Sequence, residues 1–97
     1  MGEMQYDSWK EEDLYKVFPA TCYLLSRLKK MVPNAEIVKI VNCDLGAEIT
    51  DGLIEIAERY GVMMVKLEEI DKVSGHPTVL GMKQIAEQIS AVLNEKL

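Results

Sequence analysis

Residues 35–41 read AEIVKIV and residues 62–67 read VMMVKL, and the reading of these two short apolar runs decides the fold. In the first, Ile37, Val38, Ile40 and Val41 are nearly continuous and β-branched, the pattern of a strand covered on both faces. The second is equally short and apolar and reads as a second buried strand. Upstream, Leu14, Val17, Phe18, Leu24, Leu25 and Leu28 fall on one helical face. Ser8 and Glu11 have capping-box spacing, so a helix could begin there. Pro19 either kinks that helix or opens a second one in its first turn, and Pro33-Asn34 ends the helix near Met31. Between the two runs, Asn42 to Gly46 reads as a loop. Ile49, Leu53, Ile56, Ala57 and Tyr60 then form a helical stripe that Gly61 closes. After the second run, Glu68 to Pro77 is a polar loop. A last helix is expected from about Thr78 to Glu95, with Met82, Ile85, Ala86, Ile89, Val92 and Leu93 facing inward.

The order is therefore helix, strand, helix, strand, helix, an α/β pattern with two parallel strands joined by a right-handed crossover. Two strands and three helices leave a sheet edge and apolar surface uncovered. The chain reads as the second half of a doubly wound fold, whose cover comes from upstream strands or from another copy. Residues 1–97 are expected to form a single partial domain, with 1–12 a polar lead-in.

Of the 97 residues, 48% are hydrophobic and 28% charged, the composition of a globular protein. A net charge of −5 with scattered basic residues argues against nucleic acid, whose phosphates need concentrated Lys and Arg. It argues equally against a polybasic membrane-binding face. No apolar run approaches the roughly 20 residues of a membrane span. Cys22, read as helix core, and Cys43, read as a loop residue, show no CxxC pattern, and no disulfide between them is expected. Met63, Met64 and Met82 sit at core spacings, so no metal site is expected, and no cofactor.

In open α/β sheets, ligands bind beyond the carboxyl ends of the strands, here the loops Asn42–Ala47 and Glu68–Pro77. His76, the only histidine, lies in the second loop just before a helix. A lone loop histidine is usually a surface or capping residue, so its surroundings must decide. Gly75-His76-Pro77-Thr78, then Gly81-Met82 and Ile85-Ala86, resembles the final motif of the SGNH/GDSL hydrolases, in which a His-Pro segment precedes a glycine-containing amphipathic helix. Pro33 to Val38, a helix exit into a strand, and Tyr60-Gly61-Val62 extend the resemblance over roughly residues 15 to 93. It implies the C-terminal half of a flavodoxin-like three-layer fold, and a serine esterase acting on small carboxylic esters. In that family a serine attacks the ester carbonyl, a histidine takes its proton and an acid orients the histidine. Backbone and asparagine donors stabilise the oxyanion. The histidine carries over onto His76.

Other parts of the pattern are missing. The family acid stands three residues before the histidine, where this chain has Val73; Asp71 is the nearest substitute, with Glu69 behind it. A main-chain carbonyl could orient the ring instead, leaving a Ser-His dyad. No Gly-Asp-Ser segment occurs. Ser26 and Ser90 fall on predicted helices, Ser8 suits an N-cap, and Ser74 is too close in sequence to His76. The glycine and Gly-x-Asn-Asp blocks are absent, and Asn42 and Asp44 read as turn residues. The isolated chain is thus expected to lack the nucleophile and to be inactive. The alternative is a non-catalytic α/β module that works as a homodimer or on a partner through the uncovered strands or the Leu14, Val17 and Phe18 stripe. A flavodoxin-like or receiver-like domain lacks its phosphate loop or acidic cluster here.

Overall fold

The structure, a computed structural model, describes residues 1–96. Its principal elements are α1 (Val17–Met31), β1 (Val38–Val41), α2 (Ala47–Tyr60), β2 (Met63–Lys66), β3 (Lys72–Val73), β4 (His76–Pro77) and α3 (Val79–Lys96). β1 and β2 pair in one sheet, and β3 and β4 in another. Met63 N–H donates to Ile37 O at 3.1 Å, and Leu67 N–H donates to Val41 O at 2.9 Å. The same sequence offset at both bonds is the signature of parallel strands. The α-β-α-β-α order and the parallel pair are thus as the sequence implied.

Two compact units divide the described residues, 1–39 with 45–64, and 40–44 with 65–96. In the first, α1 packs on α2, burying Phe18, Cys22 and Leu25 with Leu53, Ile56 and Ala57. Pro19 is the third residue of α1, where a missing N–H costs no intrahelical bond; it opens a helix rather than kinking one. Gly52 is what lets Phe18 in, because a Cβ there would overlap the phenyl ring. Gly61 closes α2 with left-handed backbone (φ 65°). Its N–H reaches Glu58 O at 3.2 Å while Val62 N–H reaches Ala57 O at 2.9 Å, the paired bonds of a Schellman ending.

Upstream of α1 the structure departs from the sequence reading. A 3-10 turn, Glu11–Tyr15, takes the place of a helix begun at Ser8. The Asp13 carboxylate accepts Lys10 N–H at 2.8 Å and the Gln5 side-chain amide at 3.0 Å, so the cap is built on Asp13 and not on Ser8. Consequently Leu14 lies outside α1, and Val17 and Leu24 are exposed. The leading residues fold onto their own unit. The Tyr60 hydroxyl donates to Tyr6 O at 2.9 Å, and the Arg59 guanidinium lies 4.9 Å from the centre of the Tyr6 ring.

In the second unit Val41, Val65, Leu67 and Ile70 are buried. Here α3 turns a mixed face toward the segment that follows β2. Gly81 is buried, and a Cβ on it would overlap the Asp71 carbonyl oxygen. Gln84 Oε1 accepts Asp71 N–H at 2.7 Å. Gln88 takes Glu68 N–H at 2.8 Å and returns a bond to Glu68 O at 2.7 Å. With Gly81, Gln84 and Gln88 turned inward, Met82 and Ala86 are exposed, while Ile85, Ile89, Val92 and Leu93 are half-buried. Hydrophobic periodicity located Ile85, Ile89, Val92 and Leu93 but not Met82 and Ala86, because Gly81, Gln84 and Gln88 share the face to admit or bond the backbone of Glu68 and Asp71.

Candidate active site

The two parallel strands end side by side, and the residues after each of them belong to the second unit. Asn42 to Asp44 follow β1. After β2 comes the stretch that carries His76. What the sequence suggested was a polar loop is a tight hairpin, with Lys72 opposite Pro77 and Val73 opposite His76. Its two connecting residues, Ser74 (φ 51°) and Gly75 (φ 79°), both have left-handed backbone, the requirement of a two-residue turn whose twist matches the strands. The Ser-Gly dipeptide was the available signal; arms of two residues each gave no alternation to go with it.

Thr78 N–H donates to Asp71 O at 3.0 Å. Hydrogen-bonded and non-bonded pairs alternate along an antiparallel ladder, so Lys72 and Pro77 occupy a non-bonded position. Proline, with no N–H, loses nothing there. His76 is exposed, and it shares the hairpin face of Val73, its cross-strand partner.

Asp71 lies at the base of the same hairpin. Its carboxylate accepts the Thr78 hydroxyl proton, and Thr78 Oγ1 in turn accepts Gly81 N–H at 3.1 Å, capping α3. Among the described residues, no hydrogen bond joins Asp71 to the His76 imidazole. Nor does any serine hydroxyl among them bond to His76. Ser26 and Ser90 are on α1 and α3, Ser74 is in the hairpin turn, and Ser8 lies before the 3-10 turn. Glu69 is exposed, with left-handed backbone (φ 51°). A groove of about 450 Å³ runs between β2 and α3, lined by Val65, Lys66, Glu68, Glu69, Gln88, Ala91 and Val92. His76 and Asp71 are not in its wall.

A lysine that sequence reasoning passed over ties the two strand-end segments together. Lys72 Nζ donates to Asn42 Oδ1 at 2.9 Å and forms an ion pair with the Asp44 carboxylate. Its side chain is only 12% exposed, whereas that of Asp44 is 62% exposed. The Lys72 hydrogen bond holds the Asp44 carboxyl below its ordinary range, and the bond from Asp44 raises the Lys72 ammonium. In sequence Asn42 and Asp44 read only as turn residues, because their partner lies 28 to 30 residues away.

Both cysteines are free thiols, Cys22 buried and Cys43 half-buried. Burial raises the Cys22 thiol above its ordinary value. Among the described residues, no helix is long and apolar enough to cross a membrane.

Residues 1–93 match the family model of the GDSL-like Lipase/Acylhydrolase group. Two crystal structures of Bacteroides proteins assigned to the GDSL-like lipases are similar to this chain. The protein from Bacteroides uniformis ATCC 8492 is 43% identical over 98% of the chain, with a TM-score of 0.94. The protein from Bacteroides ovatus ATCC 8483 is 38% identical over 97%, with a TM-score of 0.93. This chain matches their C-terminal portion and spans 45% of the length of each. A search of the curated proteins finds no match. A family match over nearly the whole chain, together with two close structural likenesses, leads to one assignment: the chain belongs to the GDSL-like lipase/acylhydrolase family.

Proposed function

We propose that this chain is one partial domain that supplies the histidine side of a serine esterase site, with His76 as the general base. The observation that carries this reading is the position of His76. It is exposed on a tight hairpin beyond the carboxyl ends of two parallel strands, where open α/β sheets bind ligands, in a chain of a lipase and acylhydrolase family. In the proposed reaction a serine outside this chain attacks the carbonyl carbon of a small carboxylic ester. His76 takes the serine proton as the new C–O bond forms, then gives it to the departing alcohol as the tetrahedral intermediate collapses. Water releases the acyl group by the same steps in reverse order. Asp71 is proposed as the orienting carboxylate. Thr78 holds one of its oxygens, and the other, Oδ1, has no hydrogen bond among the described residues.

A chain without its nucleophile should not turn over. The test joins these 97 residues to the preceding part of the Bacteroides uniformis relative and assays p-nitrophenyl acetate. Hydrolysis by the joined protein with none by the chain alone is the expected result. Equal turnover by both would refute a site divided in this way. A second reading, association of two copies without catalysis, is favoured by the exposure of Val73, Val79, Leu80 and Met82. It requires a dimer in sedimentation velocity and no hydrolysis by the joined protein.

A further inference from the structure

A hairpin with two residues in each arm has little to hold it in place. Two cross-strand pairs join β3 to β4, and isolated hairpins are marginal even when longer. At its base the hairpin is fixed to α3 through Thr78, which bonds both the Asp71 carbonyl and the Asp71 carboxylate. That anchor is made at the root of the hairpin, by the residues flanking its arms. A second attachment, made by an arm, is needed to fix the direction in which His76 points.

Lys72 provides it. It lies on β3, one residue before Val73, the partner of His76, and its nearly buried side chain crosses to the segment after β1. There its ammonium meets two acceptors, the Asn42 amide oxygen and the Asp44 carboxylate. Among the described residues, no other side-chain hydrogen bond or ion pair links the hairpin to that segment. A flexible four-carbon stem held at both ends is costly to order, so the bond to a charged acceptor, stronger than one to a neutral acceptor, is what makes the attachment worth keeping.

We infer that Lys72, held by Asn42 and Asp44, is a positioning residue that orients the His76 hairpin against the carboxyl end of β1. Its importance for hydrolysis rests on the reading of His76 as general base, but its effect on the hairpin does not. Asn42 and Asp44 thereby acquire a role at the site without touching the substrate.

Amide hydrogen exchange of the 97-residue chain tests this directly. In Lys72→Met, the Val73 and His76 amides should exchange about fivefold faster or more than in the parent, while the Ile56 amide, in the core of α2, keeps its rate. Asp44→Asn should accelerate the same two amides. Lys72→Arg, which keeps the charge and the reach, should restore the parent rates. Acceleration below about fivefold, acceleration shared by Ile56, or failure of arginine to restore the rates would each overturn the assignment. Because exchange is read without substrate, the result stands apart from whether His76 proves to be the base in hydrolysis.

Discussion

His76, Asp71 and Lys72 fall within six consecutive residues, yet each is held in a different way. The His76 imidazole is exposed and makes no hydrogen bond among the described residues, as the proposed base for a nucleophile from elsewhere must be. Asp71 is engaged three times over, through its N–H, its carbonyl and its carboxylate, so it shapes the start of α3 whatever it does for the imidazole. Lys72 is the residue that looks across to the other strand. Elsewhere, Tyr60 shows what burial does to a single group. Desolvation, reinforced by nearby negative charge, pushes its phenol up to about 12, while its hydroxyl donates to Tyr6 O. The folded state therefore holds this proton more tightly than the unfolded chain, whose tyrosines titrate near 10. The resulting contribution to stability is fully present below about pH 10 and is lost as the pH rises toward 12. Absorbance at 295 nm should reveal one phenol ionising near 12, and Tyr60→Phe should remove that late step. A titration unchanged by the substitution would contradict the assignment.

At the scale of elements, α3 is organised by its first turn. Thr78 caps it, and Gly81 admits the Asp71 carbonyl into space that a side chain would fill. Gly81→Ala should therefore destabilise the chain by about 1–3 kcal/mol, the usual cost of overpacking, although alanine is the better helix former by about 1 kcal/mol. Urea unfolding checks this, and a more stable variant would show that α3 tolerates displacement from Asp71. The same glycine explains where the sequence was readable and where it was not. Strands and helices announced themselves through β-branched runs, the stripe from Ile49 to Tyr60 and the Gly61 stop, all local signals. The inward face of α3 did so only in part, because Gln84 and Gln88 sit on it to satisfy backbone groups of Glu68 and Asp71. The 3-10 turn before α1 was hidden for a similar reason: Asp13 captures the Lys10 N–H that a cap at Ser8 would have left free.

On the scale of the whole molecule, the family was legible because the His-Pro-Thr segment and its following glycine-containing helix lie at the site and are contiguous. The Lys72 attachment was not, because it joins residues 28 to 30 apart. The chain spans 45% of two structural relatives, and its candidate site is correspondingly partial: a histidine and a carboxylate, with no serine bonded to either among the described residues. His76 is proposed as the base for a nucleophile supplied outside these residues. The most direct test is the steady-state rate of the joined protein on p-nitrophenyl acetate, with and without His76→Ala. In His76→Ala, kcat should fall at least about 10³-fold, the scale set by loss of a triad member, with KM changed little. A kcat within about tenfold of the parent would contradict it.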